Sequence, residues 1–251
     1  MGLQETKGRI ESTPSLDQWI KEVKERWEKV PKFSVDTGKL RHLAIICDGN
    51  RRAAESRRLP SYFGHRAGVE AIKGVARACR KWEIRTLTFW VWSTENWQRD
   101  QEQIDFVMSL AEHFLPQDEL LQEFKENNVR FRHLGRKDRL PGPVKAAIQH
   151  LEAETFNSSG YTLNLALDYG GLDEMVRALE RLKKAAQPLL IRDPEYLLEF
   201  LDTKGQPKPD LVVRTGMQKG EIFRTSGFMP LQTAYAGWLP LSILFPDLTP
   251  R

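Results

Sequence analysis

Short apolar runs alternate with amphipathic helical patterns along most of this chain, and this alternation restricts the fold more than any other feature of the sequence. The runs typical of strands are HLAIIC (42–47), TLTFWVW (86–92), VRFRHLG (129–135), YTLNLAL (161–167), LVVR (211–214) and LSILF (241–245). The helical patterns occupy residues 69–79, 101–126, 141–156, 172–186 and 194–202. Repeated strand, helix, strand predicts an α/β domain with a mostly parallel sheet that helices cover on both faces.

A further amphipathic helix is predicted ahead of the first strand, over residues 15–30, with Ser15 as its N-cap. One face of this helix carries the apolar side chains Leu16, Trp19, Ile20, Val23, Trp27 and Val30. We favour a helix that packs on the domain or on a second copy of it, and a helix on a membrane surface is the alternative. The chain therefore divides into an N-terminal helical extension, residues 1–41, and a domain over residues 42–251.

The composition excludes some classes of protein and leaves the anionic partner open. Hydrophobic residues make up 40% of the chain, yet no apolar stretch approaches the ~20 residues of a spanning helix. A net charge of +4 fits nucleic acid, a membrane surface or a diphosphate. No interleaved aromatic and basic pattern supports nucleic acid, so we expect none as a partner.

The cysteines and the first residues of the chain bear on its location. Cys47 and Cys79 lack the CxxC and CxxH spacings of zinc sites and are expected to be free thiols of a reducing compartment. Residues 1–13 contain no apolar segment typical of a secretion signal. We therefore expect a cytoplasmic protein, with peripheral membrane association as an open alternative.

Polar and cationic residues follow three of the predicted strands directly. Asp48 begins the DGNRR segment after the first strand, STENWQR (93–99) follows the second, and Arg214 ends the LVVR strand. The carboxyl ends of parallel strands meet at one edge of a sheet, so these groups should lie together. An acid can hold Mg²⁺, arginines can pair with phosphate oxygens, and backbone amides after Gly49 can cradle an anion. Asp-Gly-Asn is also an ordinary turn sequence, which is the alternative for that segment.

Arg224 and Ser226 add a further cation and a hydroxyl within FRTSGF, and with Arg214 they suggest a second anion pocket. No GxGxxG or GxxxxGK[ST] segment occurs, so a dinucleotide or P-loop nucleotide site has little support.

Segments in order along the chain resemble the successive motifs of the cis-prenyltransferases, the undecaprenyl and dehydrodolichyl diphosphate synthase family. They are HLAIICDGNRR (42–52), FGHRAG (63–68), FWVWSTENWQR (89–99), NNVRFRHLG (127–135), TLNLALDYGG (162–171), PDLVVRTG (209–216), and RTSGF with LQTAYA (224–236). The resemblance implies a six-stranded sheet and condensation of isopentenyl diphosphate with an allylic diphosphate. It also implies Mg²⁺ as cofactor, an apolar tunnel for the growing chain, and a homodimer or a heteromer.

The resemblance also implies roles for individual residues. Asp48 would hold Mg²⁺ and assist loss of the allylic diphosphate. Asn96 would be the proton acceptor, with Asn50 beside it and Ser93 near the reacting carbons. The allylic diphosphate would contact Gly49, Arg51, Arg52 and His65. The segment over the site would supply Thr94, Glu95, Trp97 and Arg99. The diphosphate of isopentenyl diphosphate would be held by Arg214, Arg224, Thr225 and Ser226.

Several positions depart from the family pattern. Ala53 replaces an aromatic residue, Ser61 stands where an arginine is expected, and Gly237 takes the place of a glutamate that binds metal in many homodimeric members. The linker between Arg214 and Arg224 is longer than usual, and the sequence ends at FPDLTPR without the family's RxG segment.

These departures leave three functions open. The first is a cis-prenyltransferase that makes a polyprenyl or short isoprenoid diphosphate. The second is an enzyme of the same fold that couples allylic units irregularly, cyclises them or prenylates another acceptor. The third is one subunit of a heteromeric cis-prenyltransferase. Val91, two residues before Ser93, should narrow the tunnel mouth and favour a product shorter than an undecaprenyl chain.

Overall fold

A six-stranded parallel sheet forms the centre of the computed structural model, which describes residues 13–32, 34–185 and 193–250. The strands are β1 (His42–Ile46), β2 (Thr86–Ser93), β3 (Val129–Leu134), β4 (Tyr161–Tyr169), β5 (Leu211–Arg214) and β6 (Gly237–Pro240). Their order across the sheet is β3-β4-β2-β1-β5-β6, and every neighbouring pair is parallel. The predicted fold class is confirmed.

Helices connect the strands, as the alternation of patterns predicts. They are α1 (Pro14–Glu28), α2 (Asn50–Glu55), α3 (Phe63–Lys81), α4 (Gln101–Phe114), α5 (Asp118–Glu126), α6 (Gly142–Glu154), α7 (Gly171–Lys184) and α8 (Pro194–Leu198). Short 3₁₀ turns cover Thr94–Gln98 and Phe245–Asp247. The helical pattern over 101–126 is divided in two, because Pro116 cannot continue the backbone hydrogen bonding of α4. Residue 186, in the pattern predicted over 172–186, lies outside the described residues.

Alternate strand positions supply the two apolar layers on opposite faces of the sheet. Along β1, Leu43 and Ile45 join the larger core, which is covered by α1 and α3 to α6. Ala44 and Ile46 join a smaller core that includes Phe228. The larger core also contains the side chains that surround the cavity described below.

The sixth strand lies four residues before the predicted position, so the prediction of a strand over 241–245 is wrong. β6 pairs with β5, from Gly237 opposite Leu211 to Pro240 opposite Arg214. Residues 241–245 instead bond to the loops after β5 and β1: Gly216 N–H donates to the Ile243 carbonyl (2.7 Å) and Phe245 N–H to the Asp48 carbonyl (3.0 Å). Leu244 and Phe245 of this segment pack against the loop after β1 and the larger core.

The ladder between β2 and β4 is irregular at its carboxyl end. Trp90 pairs with Ala166 and Trp92 with Leu167, which leaves Val91 without a partner in the register. On β4, Asp168 likewise has no partner in the register, and its φ is positive at 56°. Such bulges redirect side chains, and here they do so next to the predicted site.

The N-terminal helix packs on the domain, as favoured from its apolar face. Trp19 and Val23 of α1 are buried, and α1 lies against α3. Its N-cap is Thr13, whose hydroxyl accepts from Leu16 N–H (3.2 Å), so the prediction of Ser15 as cap is wrong by two residues. The apolar face of α1 is thereby covered, and the division of the chain at residue 41 stays a prediction.

Neither cysteine forms a disulfide: Cys79 is buried in α3, and Cys47 is half-buried after β1. Within the described ranges, no helix has the length and apolarity needed to cross a membrane.

Candidate active site

Two cavities meet at the carboxyl edge of the sheet. A polar cavity of about 480 Å³ lies over the ends of β1, β2 and β5, and an apolar cavity of about 180 Å³ extends from it between the sheet and α3 and α4. Four residues line both of them, Cys47, Asn50, His65 and Val91. A ligand with an anionic head and a hydrocarbon chain can therefore occupy the two cavities together.

Asp48 stands at the floor of the polar cavity, directly after β1. Its Oδ1 accepts from the N–H of Gly49 (2.7 Å) and faces Arg52 Nη2 (3.5 Å), while its Oδ2 faces Arg214 Nη2 (3.3 Å). Thr215 fixes the backbone here, since Asp48 N–H donates to the Thr215 hydroxyl (3.0 Å). The carboxylate is 42% exposed, so it can still accept a ligand from the cavity side.

Gly49 begins α2 in the left-handed conformation, with φ of 96°. A Cβ at this position would lie 2.8 Å from Leu244 Cδ2, so the turn requires glycine on both counts. This turn brings the predicted diphosphate contacts of α2 to the cavity edge, where Arg51 and Arg52 line it.

Cations outnumber carboxylates around the polar cavity. Its charged lining consists of Arg51, Arg52, Arg99 and Arg214, against Asp48 and Glu55. Burial lowers the pKa of Arg99, and neighbouring Arg51 lowers it further. Cations that repel one another in this way favour the binding of an anion of high charge, such as a diphosphate.

His65 is a neutral group at the junction of the two cavities. Burial, followed by the charges of Arg99 and Arg51, lowers its pKa to about 3. Its Nε2 has no hydrogen-bond partner among the described residues, and neither has Asn50 Oδ1, although Asn50 Nδ2 donates to the Cys47 carbonyl (2.7 Å). Two buried polar atoms without partners point to hydrogen bonds that a ligand or water completes.

Ser93 and Asn96 form a capping box on the 3₁₀ turn after β2. Ser93 N–H donates to Asn96 Oδ1 (3.1 Å), and the Ser93 side chain accepts from the backbone of Asn96. This reciprocal pair holds the Asn96 amide against the polar cavity, which both residues line.

The buried carboxylate of Asp168 holds the same 3₁₀ turn through its hydrogen bond with Trp97. Trp97 Nε1 donates to Asp168 Oδ1 (2.8 Å), and the Arg139 guanidinium donates to both oxygens of Asp168, with Nε at 2.9 Å from Oδ2. Asp168 is fully buried. Trp97 also meets Trp92 edge-on at 5.9 Å between ring centroids, and Trp97 does not line the polar cavity.

Arg214 links Asp48, in the loop after β1, to the segment 224–226 at the polar cavity. Its Nη1 donates to the Ser226 hydroxyl (3.1 Å) and to the Arg224 carbonyl, while Nη2 faces Asp48 and, at 4.0 Å, Glu221. Its Nε is buried without a partner among the described residues. The guanidinium thus retains a free donor at the end of β5.

Eleven of the sixteen predicted site residues line the polar cavity: Asp48, Gly49, Asn50, Arg51, Arg52, His65, Ser93, Asn96, Arg99, Arg214 and Ser226. The other five lie beside this cavity without lining it: Thr94, Glu95, Trp97, Arg224 and Thr225. Arg224 and Thr225 are exposed, and Arg224 contributes its carbonyl to Arg214. The roles assigned to all sixteen stay predictions.

Four residues in or beside the site were not predicted from the sequence. Glu55 and Gln218 line the polar cavity, and Asp168 with Arg139 anchors the turn that carries Asn96. Asp168 lies in the TLNLALDYGG motif, where an acid directly after an apolar run is a signal that could have identified it.

Comparisons with known proteins agree with this geometry. Residues 46–251 match the family model described as "Putative undecaprenyl diphosphate synthase". An isoprenyl transferase of Bacillus thuringiensis subsp. konkukian is 35% identical over 239 residues, 94% of this chain and 86% of that protein. An isoprenyl transferase of Streptococcus pneumoniae is 36% identical over 228 residues, 88% of each chain.

Solved structures are similar as well. One is lavandulyl diphosphate synthase from Lavandula x intermedia in complex with dimethylallyl diphosphate, with a TM-score of 0.77 and 29% identity, covering 85% of this chain and 92% of that one. Another is a probable undecaprenyl diphosphate synthase from Campylobacter jejuni, with a TM-score of 0.67 and 33% identity, covering 84% of this chain and 90% of that one.

The fold is shared with these solved isoprenoid diphosphate synthases, and the sequence matches the isoprenyl transferases. This chain belongs to the undecaprenyl diphosphate synthase family, the cis-prenyltransferases, and it is a prenyltransferase.

Proposed function

We propose that this prenyltransferase condenses isopentenyl diphosphate with an allylic diphosphate, with both diphosphates in the polar cavity and the allylic chain in the apolar one. The observation that carries the proposal is the junction of the two cavities at Asn50, His65 and Val91. There the reacting carbons would lie between a cationic site and an apolar one. The product would be a polyprenyl or short isoprenoid diphosphate.

Loss of the allylic diphosphate requires that its developing negative charge be neutralised. Arg51, Arg52 and Arg99 supply fixed cations at the cavity edge, and neutral His65 supplies a hydrogen-bonding nitrogen. The hydrocarbon chain would be held in the apolar cavity, which keeps water away from a carbocation-like transition state.

Mg²⁺ is the proposed cofactor, with Asp48 as its protein ligand. The fit rests on the exposed face of this carboxylate, and Mg²⁺ is often bound by one or two carboxylates together with substrate phosphates. Among the described residues no group of three or more acidic, histidine or cysteine side chains could hold a metal alone, so substrate oxygens and water would complete the coordination. When bound, Mg²⁺ supplies charge neutralisation at the diphosphate.

Isopentenyl diphosphate would bind on the β5 side of the polar cavity. Arg214 offers its buried, unpartnered Nε there, and the Ser226 hydroxyl lies 3.1 Å from its Nη1. A diphosphate at this position would leave the alkene facing the junction. Asn96 and Asn50 are amide groups of the cavity lining, and one of them would accept the proton released after carbon–carbon bond formation.

Irregular coupling was an alternative because of Ala53 and Ser61. Ala53 is fully buried in α2, and neither residue lines the polar cavity. Neither side chain therefore contacts a ligand in that cavity, and regular condensation is the function we propose. Coupling of two allylic units would appear in the assay below as product formed from an allylic diphosphate alone.

A homodimer is the proposed assembly. β6 is an edge strand with exposed Leu239, and α7 exposes an apolar stripe at i, i+4 and i+7. That stripe consists of Leu172, Val176 and Leu179. Apolar surface of this kind is typical of a protein interface, and a second copy of the chain would cover it. Light scattering should give twice the 29.0 kDa mass of the chain. A monomer would contradict the proposal. A complex that forms only when a different chain is added would indicate a heteromer.

The direct test of the function is incubation of the purified chain with Mg²⁺, isopentenyl diphosphate and dimethylallyl, geranyl, farnesyl or geranylgeranyl diphosphate, followed by mass spectrometry. We expect products longer by whole isoprene units and loss of product after chelation of the metal. Product made without isopentenyl diphosphate would refute regular condensation. No product with any substrate would refute catalysis by this chain alone.

The Asp48 carboxylate is the residue on which the metal proposal depends. Asp48→Ala should lower kcat by several orders of magnitude, because charge stabilisation of this kind contributes several kcal/mol. The melting temperature should change little, since the side chain is 42% exposed. Near wild-type turnover in this variant would exclude Asp48 as the metal ligand.

A further inference from the structure

The segment after β6 supports the backbone of the Asp48 turn. Phe245 N–H donates to the Asp48 carbonyl (3.0 Å). The neighbouring Leu244 packs on Gly49 so closely that a Cβ built at Gly49 would lie 3.1 Å from the Leu244 Cα. The two segments are in van der Waals contact, so a shift of residues 244–245 would also shift the turn that carries the Asp48 carboxylate.

The 3₁₀ turn Phe245–Asp247 is in turn bonded to two helical segments. The Asp247 carboxylate accepts from Arg57, which lies two residues after α2, with Nη2 2.7 Å from Oδ1 and Nη1 3.4 Å from Oδ2. Arg26 of α1 donates from Nη1 to the Pro246 carbonyl (2.9 Å) and lies 4.0 Å from Asp247 Oδ1. Side chains from two other parts of the chain therefore hold this turn.

The Arg57 guanidinium makes two further contacts that fix its own position. Its Nη1 donates to the Ala53 carbonyl (2.9 Å) of α2, and its Cζ lies 4.4 Å from the centroid of the Trp19 ring of α1. A planar guanidinium can meet a carboxylate, a carbonyl and an aromatic ring at the same time. Arg57 therefore presents a fixed partner to the Asp247 carboxylate.

The exposure of these groups allows positioning to be told apart from stability. The Arg57 side chain is 30% exposed and that of Asp247 27%, and ion pairs this accessible to water contribute little to the free energy of unfolding. Neither residue lines the polar cavity, so neither contacts a ligand there directly. A variant that loses substrate binding but little stability would therefore have lost the position of the turn.

We propose that Arg57 and Asp247 are positioning residues, which act through the 3₁₀ turn 245–247 to hold the Asp48 turn in place for the allylic diphosphate. This inference rests on the proposed function, since the Asp48 turn is assigned there to that substrate and its metal ion.

Displacement of this turn should affect the two substrates unequally. The contacts expected for the allylic diphosphate come from Gly49, Arg51 and Arg52, in the turn and at the start of α2. The groups expected for isopentenyl diphosphate, Arg214 and Ser226, are bonded to each other at 3.1 Å on the β5 side. The KM for the allylic substrate should therefore rise and kcat should fall, while the KM for isopentenyl diphosphate changes little.

The test compares four single variants by steady-state kinetics with each substrate and by melting temperature. Arg57→Gln and Asp247→Asn each remove one charge of the ion pair. Arg57→Lys keeps the cation but loses the fork that pairs with the carboxylate. Arg58→Gln is the matched control, since Arg58 is the next residue along the chain and is exposed.

We expect Arg57→Gln and Asp247→Asn to lower kcat/KM for the allylic substrate by roughly tenfold to a hundredfold, because small displacements of positioned groups have effects of this size. Arg57→Lys should recover part of this loss, and the double variant should lose no more than the worse of its two components. The control should match the wild type, and melting temperatures should change little. Equal changes in KM for both substrates, or wild-type kinetics in Arg57→Gln, would overturn the inference.

Two measurements without turnover separate this inference from the proposed function. In EDTA, calorimetry should show that inorganic diphosphate binds Arg57→Gln about fivefold or more weakly than the wild type. The Phe245 amide, bonded to the Asp48 carbonyl, should exchange hydrogen faster in that variant, while the amides of β4 keep their protection. If no protein makes product but both changes occur, the proposed function fails and the positioning role remains. If product forms while diphosphate binding and exchange at Phe245 are unchanged in the variant, the positioning role fails and the function stands.

Discussion

At the scale of single residues, Asp168 is the group whose removal should disturb the active site most without touching it. Its buried carboxylate accepts from Trp97 Nε1 at 2.8 Å and from Arg139, and so it holds the 3₁₀ turn that presents Asn96. We expect Asp168→Ala to lower kcat by about tenfold to a hundredfold, because small displacements of positioned groups have effects of this size. Asp168→Asn keeps an acceptor for the indole and should lose less. Steady-state kcat and KM give the comparison.

Coupling to Trp97 distinguishes positioning from a general loss of stability. In a Trp97→Phe background the indole donor is absent, so Asp168→Ala should cause little further loss of kcat. Melting temperatures measured alongside show how much each variant destabilises the fold. Equal and additive losses of kcat in both backgrounds would mean that Asp168 does not act through Trp97.

Strand ends explain which site residues can be predicted from the sequence. Asp48, Ser93 and Arg214 each stand at the end of an apolar run, and a parallel sheet brings such ends together. Asp168 also ends a run, but its partners come from other elements. The pairing of β2 with β4 and the loop after β3 bring Trp97 and Arg139 to it, and no local pattern specifies those approaches.

At the scale of helices and strands, the docking of α1 on α3 depends on one glycine. Gly74 of α3 faces Trp27, and a Cβ at Gly74 would lie 2.2 Å from the Trp27 Cγ. Gly74→Ala should therefore destabilise the protein by about 1–3 kcal/mol through overpacking, although alanine is the better helix former. Urea unfolding measures the change in free energy of unfolding.

The sign of this effect should reverse when Trp27 is truncated. With Trp27→Ala the clash is absent, and Gly74→Ala should then stabilise by up to about 1 kcal/mol through helix propensity. Gly142→Ala is the matched control, because nothing lies within 4 Å of a Cβ built at that position of α6. A neutral Gly74→Ala in the wild-type background would contradict the docking of α1 at this place.

The apolar runs predict strands correctly where they are buried in the sheet and wrongly where they are buried in a loop. β1, β2, β4 and β5 are apolar because the sheet is covered on both faces, so their runs identify them, whereas the edge strand β3 alternates buried apolar residues with half-buried arginines. β6 is an exposed edge strand, GWLP, without such a run. The segment 241–245 is apolar for another reason, since Leu244 and Phe245 pack under the Gly49 turn and α3. An apolar run indicates only that a segment is buried, and a buried loop gives the same sequence pattern as a buried strand.

At the scale of the whole molecule, buried neutral histidines link folding to pH. His42 Nδ1–H donates to the Pro207 carbonyl and Nε2 accepts from the Thr88 hydroxyl, each at 2.8 Å, so the structure fits the neutral ring. Burial lowers the pKa of His42, and likewise that of His133, from 6.5 to about 4. Neither ring lines the polar or the apolar cavity.

These two shifts set the direction of the pH dependence. Between pH 6.5 and about 4 the unfolded chain binds protons at both rings while the folded protein leaves them neutral, so acid favours unfolding. The contribution of these two rings to stability is greatest above pH 6.5, and each ring should remove up to about 1.4 kcal/mol per pH unit as the pH falls below that value. Urea midpoints measured between about pH 7.5 and about pH 5 should fall accordingly.

Variants separate the contribution of the buried rings from that of the rest of the chain. His42→Gln removes one titrating ring, so its stability should fall less steeply between about pH 6.5 and about pH 5, although it starts from a lower value because two buried hydrogen bonds change. His113→Gln is the matched control: His113 is exposed on α4, so this variant should keep the wild-type slope. His65 is left unchanged in all three proteins, since it belongs to the site. If His42→Gln and the wild type lose stability in parallel over this range, the buried ring at residue 42 is not the source of the acid sensitivity.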